Sequence, residues 1–138
     1  MTDASSPTPT VLETVRSNLE SVHAKIAQAA KDSDRNPDDV KLIAVSKMQP
    51  ADRIEAALQV GHRVYGENRV QEAEGRWPAY REQYDDLELH LIGPLQTNKA
   101  RNAVQLFDVI HTLDRPRLAV TLARLFDETD RRLPCYIE

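Results

Sequence analysis

The first long pattern in the chain is a helical one. Apolar side chains recur at steps of three and four residues, at Val11, Val15, Leu19, Val22, Ile26 and Ala29. This period predicts one amphipathic helix of about five turns that ends between Asp32 and Pro37. Thr10 followed by Glu13 has the form of a capping box, so we expect the helix to begin there.

The segment before this helix has a different composition. Residues 1–9 consist almost entirely of Ser, Thr, Pro, Asp and Ala. Such a segment has too little apolar surface to order itself by burial, so we predict a disordered tail over 1–9. The folded part of the chain is then expected to cover 10–138.

From residue 41 onward, short apolar strands alternate with amphipathic helices. The predicted strands begin near residues 41, 63, 87, 108 and 133, at intervals of 21 to 25 residues. Each interval holds one strand, one helix and two short loops. Strict alternation predicts an α/β fold with parallel strands joined by right-handed crossovers. An open doubly wound sheet and a closed eight-stranded barrel both fit, and periodicity does not choose between them.

Local signals place the boundaries of the first elements in this repeat. The strand at 41–45 is apolar on both alternating faces, which predicts that it is covered on both sides. Pro50 is expected to open the helix that follows and Gly61 to close it. Asn68 is a candidate cap for the next helix, and we expect Trp77–Pro78 to interrupt that helix because proline removes a backbone hydrogen bond.

Composition and charge mainly exclude classes of function. The 18 Lys and Arg residues against 22 Asp and Glu residues give a net charge of −4. With no run of like charges, this predicts neither nucleic acid nor membrane as the main partner. A single cysteine, no signal peptide and no long apolar span predict a reducing cytoplasm. No metal site is predicted, because no metal-ligand spacing links the histidines at 23, 62, 90 and 111.

Lys47 is the first candidate for chemistry. It follows an apolar strand and precedes Pro50, which places it at the strand's carboxyl end, where both architectures build their sites. If Val45 and Ile43 face the interior, alternation places Lys47 there too. Desolvation would then favour the neutral amine, which condenses with aldehydes. The competing interpretation is a lysine that ends a strand by reaching into water, and the residues alone favour it.

Other strand ends are also polar. Asn68 fits helix capping and ligand contact equally well, and Glu67 fits a first-turn acid that favours the helix dipole. His90 lies inside an apolar strand, where a satisfied core histidine is more common than a ligand. Lys99 and Arg101 begin a helix, where cations oppose the dipole, and a nearby anion would explain them.

Three segments together resemble a known family. They are Leu42–Lys47, with sequence LIAVSK, Gly66–Asn68 followed by Val70–Ala73, and His90–Lys99, with sequence HLIGPLQTNK. Their order and spacing resemble those of the pyridoxal phosphate homeostasis protein family, also called the YggS/PROSC family. The resemblance implies that Lys47 holds pyridoxal 5′-phosphate (PLP) as an internal aldimine and that Asn68 lies near the cofactor ring. His90, in the third segment, completes the candidate cofactor-binding residues, and no catalytic residue is predicted.

The resemblance also implies a fold. The resemblance implies the parallel (β/α)8 TIM barrel of the alanine-racemase type, with an extra amino-terminal helix. Four βα units and a fifth strand are about half of such a barrel, so we expect 10–138 to be the amino-terminal part of a PLP-binding barrel domain. The chain ends within a predicted strand, which we interpret as a piece of something longer. In the family, loops of the other half grip the phosphate.

The function implied by the resemblance is PLP homeostasis, by carrying or regulating the cofactor rather than by catalysis. PLP-dependent apoenzymes are the candidate recipients. One alternative is a PLP-dependent amino-acid racemase or decarboxylase, although no residue here is a compelling second acid or base. Another is a truncated fragment with impaired PLP binding. Half a barrel would leave open strand edges at 42–45 and 133–137, which predicts self-association.

Overall fold

A computed structural model describes residues 6–138, and the chain divides into two compact units. The first unit comprises the chain up to Leu42 together with Met48–Arg63, and the second comprises Ile43–Lys47 together with Val64–Glu138. Most of the predicted tail, residues 1–5, lies outside the described residues. Within 6–138, no helix has the length and apolar character needed to cross a membrane.

The first unit is built from two helices and a short 3₁₀ turn. Helix α1 spans Pro9–Asp32, the turn spans Pro37–Asp39, and helix α2 spans Ala51–Val60. Helix α1 contacts α2, which buries Ile54, Ala56, Ala57 and Leu58. Gly61 ends α2 in the left-handed conformation, with φ of 109°, as the sequence predicts.

Helix α1 begins slightly earlier than expected. The Thr8 hydroxyl accepts a hydrogen bond from the Val11 amide at 3.2 Å, and Pro9 is the first helical residue. Proline at this position loses nothing, because its missing N–H would be unpaired there anyway. The capping box predicted at Thr10 and Glu13 is therefore wrong, since both residues lie inside the helix.

The second unit is a five-stranded parallel sheet with three helices. The strands are β1, Ala44–Val45; β2, Val64–Glu67; β3, Glu88–Leu91; β4, Val109–Leu113; and β5, Cys135–Ile137. The helices are α3, Val70–Gln83; α4, Ala100–Leu106, preceded by a 3₁₀ turn at Thr97–Lys99; and α5, Pro116–Thr129. The strands are hydrogen-bonded in the order β1-β2-β3-β4-β5. This confirms the predicted βα repeat.

Strand order decides between the two architectures that fit the sequence pattern. A doubly wound sheet reverses its strand order at a switch point, whereas the wall of a (β/α) barrel runs in chain order. All four pairs in this sheet are parallel and sequential. The fold is therefore a partial barrel of the TIM type, as the resemblance implies.

The core of the second unit lies between the sheet and its helices. Leu89, Leu91 and Ile110 of the sheet are at most 1% exposed. They pack in a core with apolar residues of the helices, including the predicted α5 positions Leu118, Leu122 and Leu125.

Two expectations fail in this unit. The short strand β1 is not covered on both sides, since Val45 is 46% exposed.

The second failure concerns Pro78. Helix α3 continues through it, from Val70 to Gln83. The side chains on either side explain why: Trp77 is 1% and Tyr80 8% exposed, and their rings meet edge to face at 5.5 Å. Burial of these two aromatic rings offsets the one backbone hydrogen bond that proline removes.

Replacing Pro78 by alanine should stabilise the protein. Pro78 is exposed inside α3, so Pro78→Ala restores a helical N–H and a strong helix former without disturbing the core. We expect the free energy of unfolding to rise by about 1–3 kcal/mol. Pro116→Ala is the matched control, because Pro116 occupies the first turn of α5, where no N–H bond is missing. Equal effects in chemical unfolding would contradict the continuous α3.

Candidate functional site

Parallel pairing brings the carboxyl ends of β1, β2 and β3 to one edge of the sheet. Val45 pairs with Gly66, and Gly66 pairs with His90. Two residues beyond the first pair, the chain reaches Lys47 on one strand and Asn68 on the next. Both residues lie in the turns that directly follow β1 and β2. Two candidate residues from separate motifs thus come to neighbouring positions.

A buried carboxylate fixes this edge from the opposite face. Ser46 is 3% exposed, and its hydroxyl donates to Glu67 Oε1 at 2.7 Å. The indole N–H of Trp77 donates to the same oxygen at 3.0 Å. The Arg76 guanidinium lies 3.6 Å from Glu67 Oε1 and donates to the Ser46 carbonyl oxygen at 2.8 Å. The residue directly before Lys47 is therefore tied to both β2 and α3.

The role of Glu67 differs from the one expected. It ends β2 and is 1% exposed, so it is not a first-turn acid on a helix. This network is absent from the sequence predictions, because its members come from two strand ends and a helix that are far apart in the chain. The alternation of side chains could have indicated it. Ser46 and Glu67 stand at the ends of adjacent strands and face the helices, where a buried polar group needs hydrogen-bond partners.

Lys47 directly follows the end of β1, as expected. It is exposed, and within residues 6–138 its side chain makes no hydrogen bond or ion pair. Of the two interpretations of Lys47, the described structure has the one that the residues alone favour, a lysine that ends a strand and reaches into water. Directly after it, Met48 adopts a left-handed backbone with φ of 58°, which is uncommon for a residue other than glycine.

Asn68 does not cap α3. The cap position is Arg69, and it makes no side-chain hydrogen bond to the helix start. Asn68 instead lies against the turn after β3. A Cβ built on Gly93 would stand 2.1 Å from the Asn68 carbonyl oxygen, so only glycine allows the two turns to approach this closely. Ile92 N–H donates to the Glu67 carbonyl oxygen at 2.9 Å and holds the turns together.

These two turns enclose a cleft of about 540 Å³. Its lining is part apolar, from Val70, Pro94 and Leu95, and part polar or cationic, from Asn68, Arg69, Gln71, Gln96 and Lys99. The Thr112 hydroxyl donates to the Gly93 carbonyl at 2.8 Å, and Arg115 donates to the Leu95 carbonyl at 2.6 Å. The wall after β3 is therefore held from β4 and the start of α5.

Lys99 and Arg101 are the two cations for which the sequence predicts a nearby anion, and Arg101 has such a partner within the protein. Arg101 donates to Glu128 Oε2 at 2.6 Å. This hydrogen bond holds the pKa of the exposed Glu128 carboxyl below its usual value. Lys99 has no hydrogen-bond or ion-pair partner for its side chain among the described residues. Lys99 is therefore the one of these two cations that has no anionic partner among the described residues, and it lines the cleft.

His90 is buried within the sheet and has one ring nitrogen in a hydrogen bond. It is 4% exposed, its Nδ1 lies 2.7 Å from His111 Nε2, and its Nε2 lies 3.3 Å from Glu88 Oε1. The His111 ring is stacked at an angle on Tyr136, 5.0 Å away. This cluster was not predictable from local sequence patterns, because its members come from three strands. A cofactor contact by His90 stays a prediction, and it would require one ring nitrogen to change partner.

Cys135 and the potential metal ligands are further candidate sites of chemistry in the described residues. Cys135 is partly buried and donates to the Leu133 carbonyl at 3.5 Å. Burial raises the pKa of this thiol, so it stays protonated and is a poor nucleophile at neutral pH. In the described part of the chain, no three His, Cys, Asp or Glu residues are grouped as metal ligands require.

Comparison with known proteins bears on this site. The Escherichia coli (strain K12) protein named pyridoxal phosphate homeostasis protein is 43% identical over 118 residues, which is 85% of this chain and 49% of that protein. The chain is a homologue of the pyridoxal phosphate homeostasis proteins. It spans about half the length of the curated relatives that it matches. The family resemblance predicted from three motifs is confirmed, although no family model matches the chain.

Solved structures agree with this result. PipY of Synechococcus elongatus PCC7942, a structure with PLP bound, matches 80% of this chain and 52% of its own, with a TM-score of 0.68 and 45% identity. A protein of unknown function from Bifidobacterium adolescentis matches 93% of this chain and 55% of its own, with a TM-score of 0.79 and 27% identity. The match to PipY confirms the barrel-type fold class that was expected for this chain.

Loss of the Glu67 carboxylate should destabilise the protein. Glu67→Ala leaves the Ser46 hydroxyl and the Trp77 indole N–H buried without an acceptor, so we expect the free energy of unfolding to fall by about 2–4 kcal/mol. Glu67→Gln keeps an acceptor oxygen and should cost less.

The matched control for this substitution is Glu72→Ala, on the exposed surface of α3, with an expected effect within about 0.5 kcal/mol. All variants are compared by urea unfolding. A cost for Glu67→Ala no larger than that of Glu72→Ala would show that the network does not hold the strand end.

Proposed function

We propose that this chain carries the lysine side of a PLP site and serves PLP homeostasis, with Lys47 holding the cofactor as a Schiff base. One observation carries the proposal. Lys47 stands at the carboxyl end of β1, its backbone is fixed through the buried Ser46–Glu67 contact, and its amine is exposed and free of ion pairs within residues 6–138. Homology to proteins named for PLP homeostasis and to PLP-bound PipY supports it.

The residues present fit what an aldehyde requires. The lysine nitrogen must be unprotonated when it attacks the carbonyl carbon, and a C=N bond then forms with loss of water. No carboxylate among the described residues forms an ion pair with Lys47, so its nitrogen is not already engaged by an acidic side chain. The exposed side chain also leaves a path by which an aldehyde reaches the amine.

Neighbouring residues would shape the site around the lysine. Asn68 lies on the adjacent strand end and presents a side-chain amide, which can hydrogen-bond an oxygen or ring nitrogen of a ligand. Gly93 fixes the position of Asn68 by its close backbone approach. We keep Asn68 and His90 as proposed cofactor contacts. In the family resemblance the phosphate is gripped by loops of the other barrel half, so we expect weak PLP binding by these 138 residues alone.

We propose a carrier rather than an enzyme. The curated relatives are named homeostasis proteins, and no residue at this sheet edge stands out as a second acid or base opposite Lys47. PLP-dependent apoenzymes in the cytoplasm remain the proposed recipients, and self-association through the open strand edges remains a prediction.

The carrier and enzyme alternatives can be separated by a turnover assay. A panel of amino acids incubated with the PLP-loaded chain should show no Lys47-dependent racemisation or decarboxylation. Robust turnover would favour the enzyme alternative.

The Schiff base on Lys47 can be tested directly. Titration of PLP into the chain should produce a saturable visible absorption band, and borohydride reduction should then leave a pyridoxyl group on the peptide that contains Lys47, identified by mass spectrometry. Lys47→Ala should abolish both signals because the amine is gone.

The control is Lys25→Ala, which removes an exposed lysine of α1 and accounts for non-specific reaction of surface amines. We expect its band and its modified peptide to match those of the native chain. A band that persists unchanged in Lys47→Ala would remove Lys47 from the site.

A further inference from the structure

The cleft between the turns after β2 and β3 contains two cations that the protein does not neutralise. The side chains of Arg69 and Lys99 both line it, and within residues 6–138 neither makes a hydrogen bond or an ion pair. Seven other cations of the second unit are paired with carboxylates, at Arg76, Arg81, Arg101, Arg115, Arg124, Arg131 and Arg132. Of the four Lys and Arg side chains of this unit that have no partner among the described residues, Arg69 and Lys99 line the cleft, whereas Lys47 and Arg117 do not.

The rest of the cleft is also suited to an anion. No Asp or Glu is among its lining residues, so nothing in the wall competes for the two charges. Three side-chain amides, at Asn68, Gln71 and Gln96, add neutral hydrogen-bond donors. The walls are held in place by the Gly93 approach and by the Thr112 and Arg115 hydrogen bonds described above. The backbone of both turns is therefore fixed by contacts within the protein.

We propose that this cleft binds the phosphate group of a small phosphate monoester through Arg69 and Lys99. A phosphate monoester carries a charge of about −1.5 to −2 at neutral pH, which matches one guanidinium and one ammonium. A carboxylate would leave one of the two cations uncompensated. Arginine adds bidentate recognition of the phosphate oxygens, and lysine adds a point charge. The cavity volume of about 540 Å³ suits a small molecule.

The proposal does not depend on the Schiff base. Lys47 is not among the residues that line the cleft. Two sources of the phosphate share this chemistry: the 5′-phosphate of PLP itself, and a second phosphorylated metabolite bound beside the cofactor site. The test therefore uses phosphate probes that carry no aldehyde.

Inorganic phosphate and pyridoxine 5′-phosphate are titrated into the full chain by isothermal calorimetry at low ionic strength. Both should bind saturably. Arg69→Gln and Lys99→Gln should each weaken binding by about tenfold or more. Arg117→Gln, which removes an exposed cation of α5 outside the cleft, should leave binding unchanged. Circular dichroism verifies that each variant keeps its fold.

Absence of binding, or equal loss in Arg117→Gln and Arg69→Gln, would overturn the proposal and leave the Lys47 assignment standing. A competition arm then identifies the source. If saturating inorganic phosphate blocks formation of the PLP band, the cleft takes the cofactor's own phosphate. If both bind together, it takes a second ligand. Both results support the cleft as a phosphate site, provided that binding depends on Arg69 and Lys99.

Discussion

The buried carboxylate of Glu67 is the contact on which the geometry of the candidate site depends. Strand β1 is only two residues long, so its own hydrogen bonds hold its end weakly. Glu67 compensates by accepting from Ser46 and Trp77 while Arg76 balances its charge. A carboxylate out of water is costly unless its oxygens are paired in this way. Its burial is therefore tied to a fixed position for the residue before Lys47.

Parallel pairing and one glycine then assemble the rest of the edge. Register along β1, β2 and β3 brings residues from three distant motifs to neighbouring strand ends. Gly93 lets two turns approach until a side chain no longer fits between them, and this places Asn68 beside the cleft. An exposed lysine amine at one strand end and two cations without a partner among the described residues beside the next are the chemical features of this edge.

Much of the fold follows from the sequence because it rests on local signals. The spacing of apolar strands predicts the parallel βα repeat, and Gly61 and the α5 leucines behave as their patterns indicate. Strand order, which separates a barrel from a doubly wound sheet, depends on long-range pairing that periodicity does not encode. Thr8 replaced Thr10 as the cap because Pro9 shifts the helix start. Pro78 stayed inside α3 because buried aromatic rings outweigh one lost hydrogen bond.

The candidate site was predictable in position but not in environment. Motif order located Lys47 and Asn68 at adjacent strand ends, whereas the exposure of Lys47 and the partners of Glu67 and His90 depend on what covers each face of the sheet. The most direct test of the central claim is a crystal structure of the chain grown with PLP. The account predicts continuous electron density from Lys47 Nζ to the cofactor, at the carboxyl edge of β1 and β2. Cofactor density joined to another lysine, with Lys47 unmodified, would contradict it.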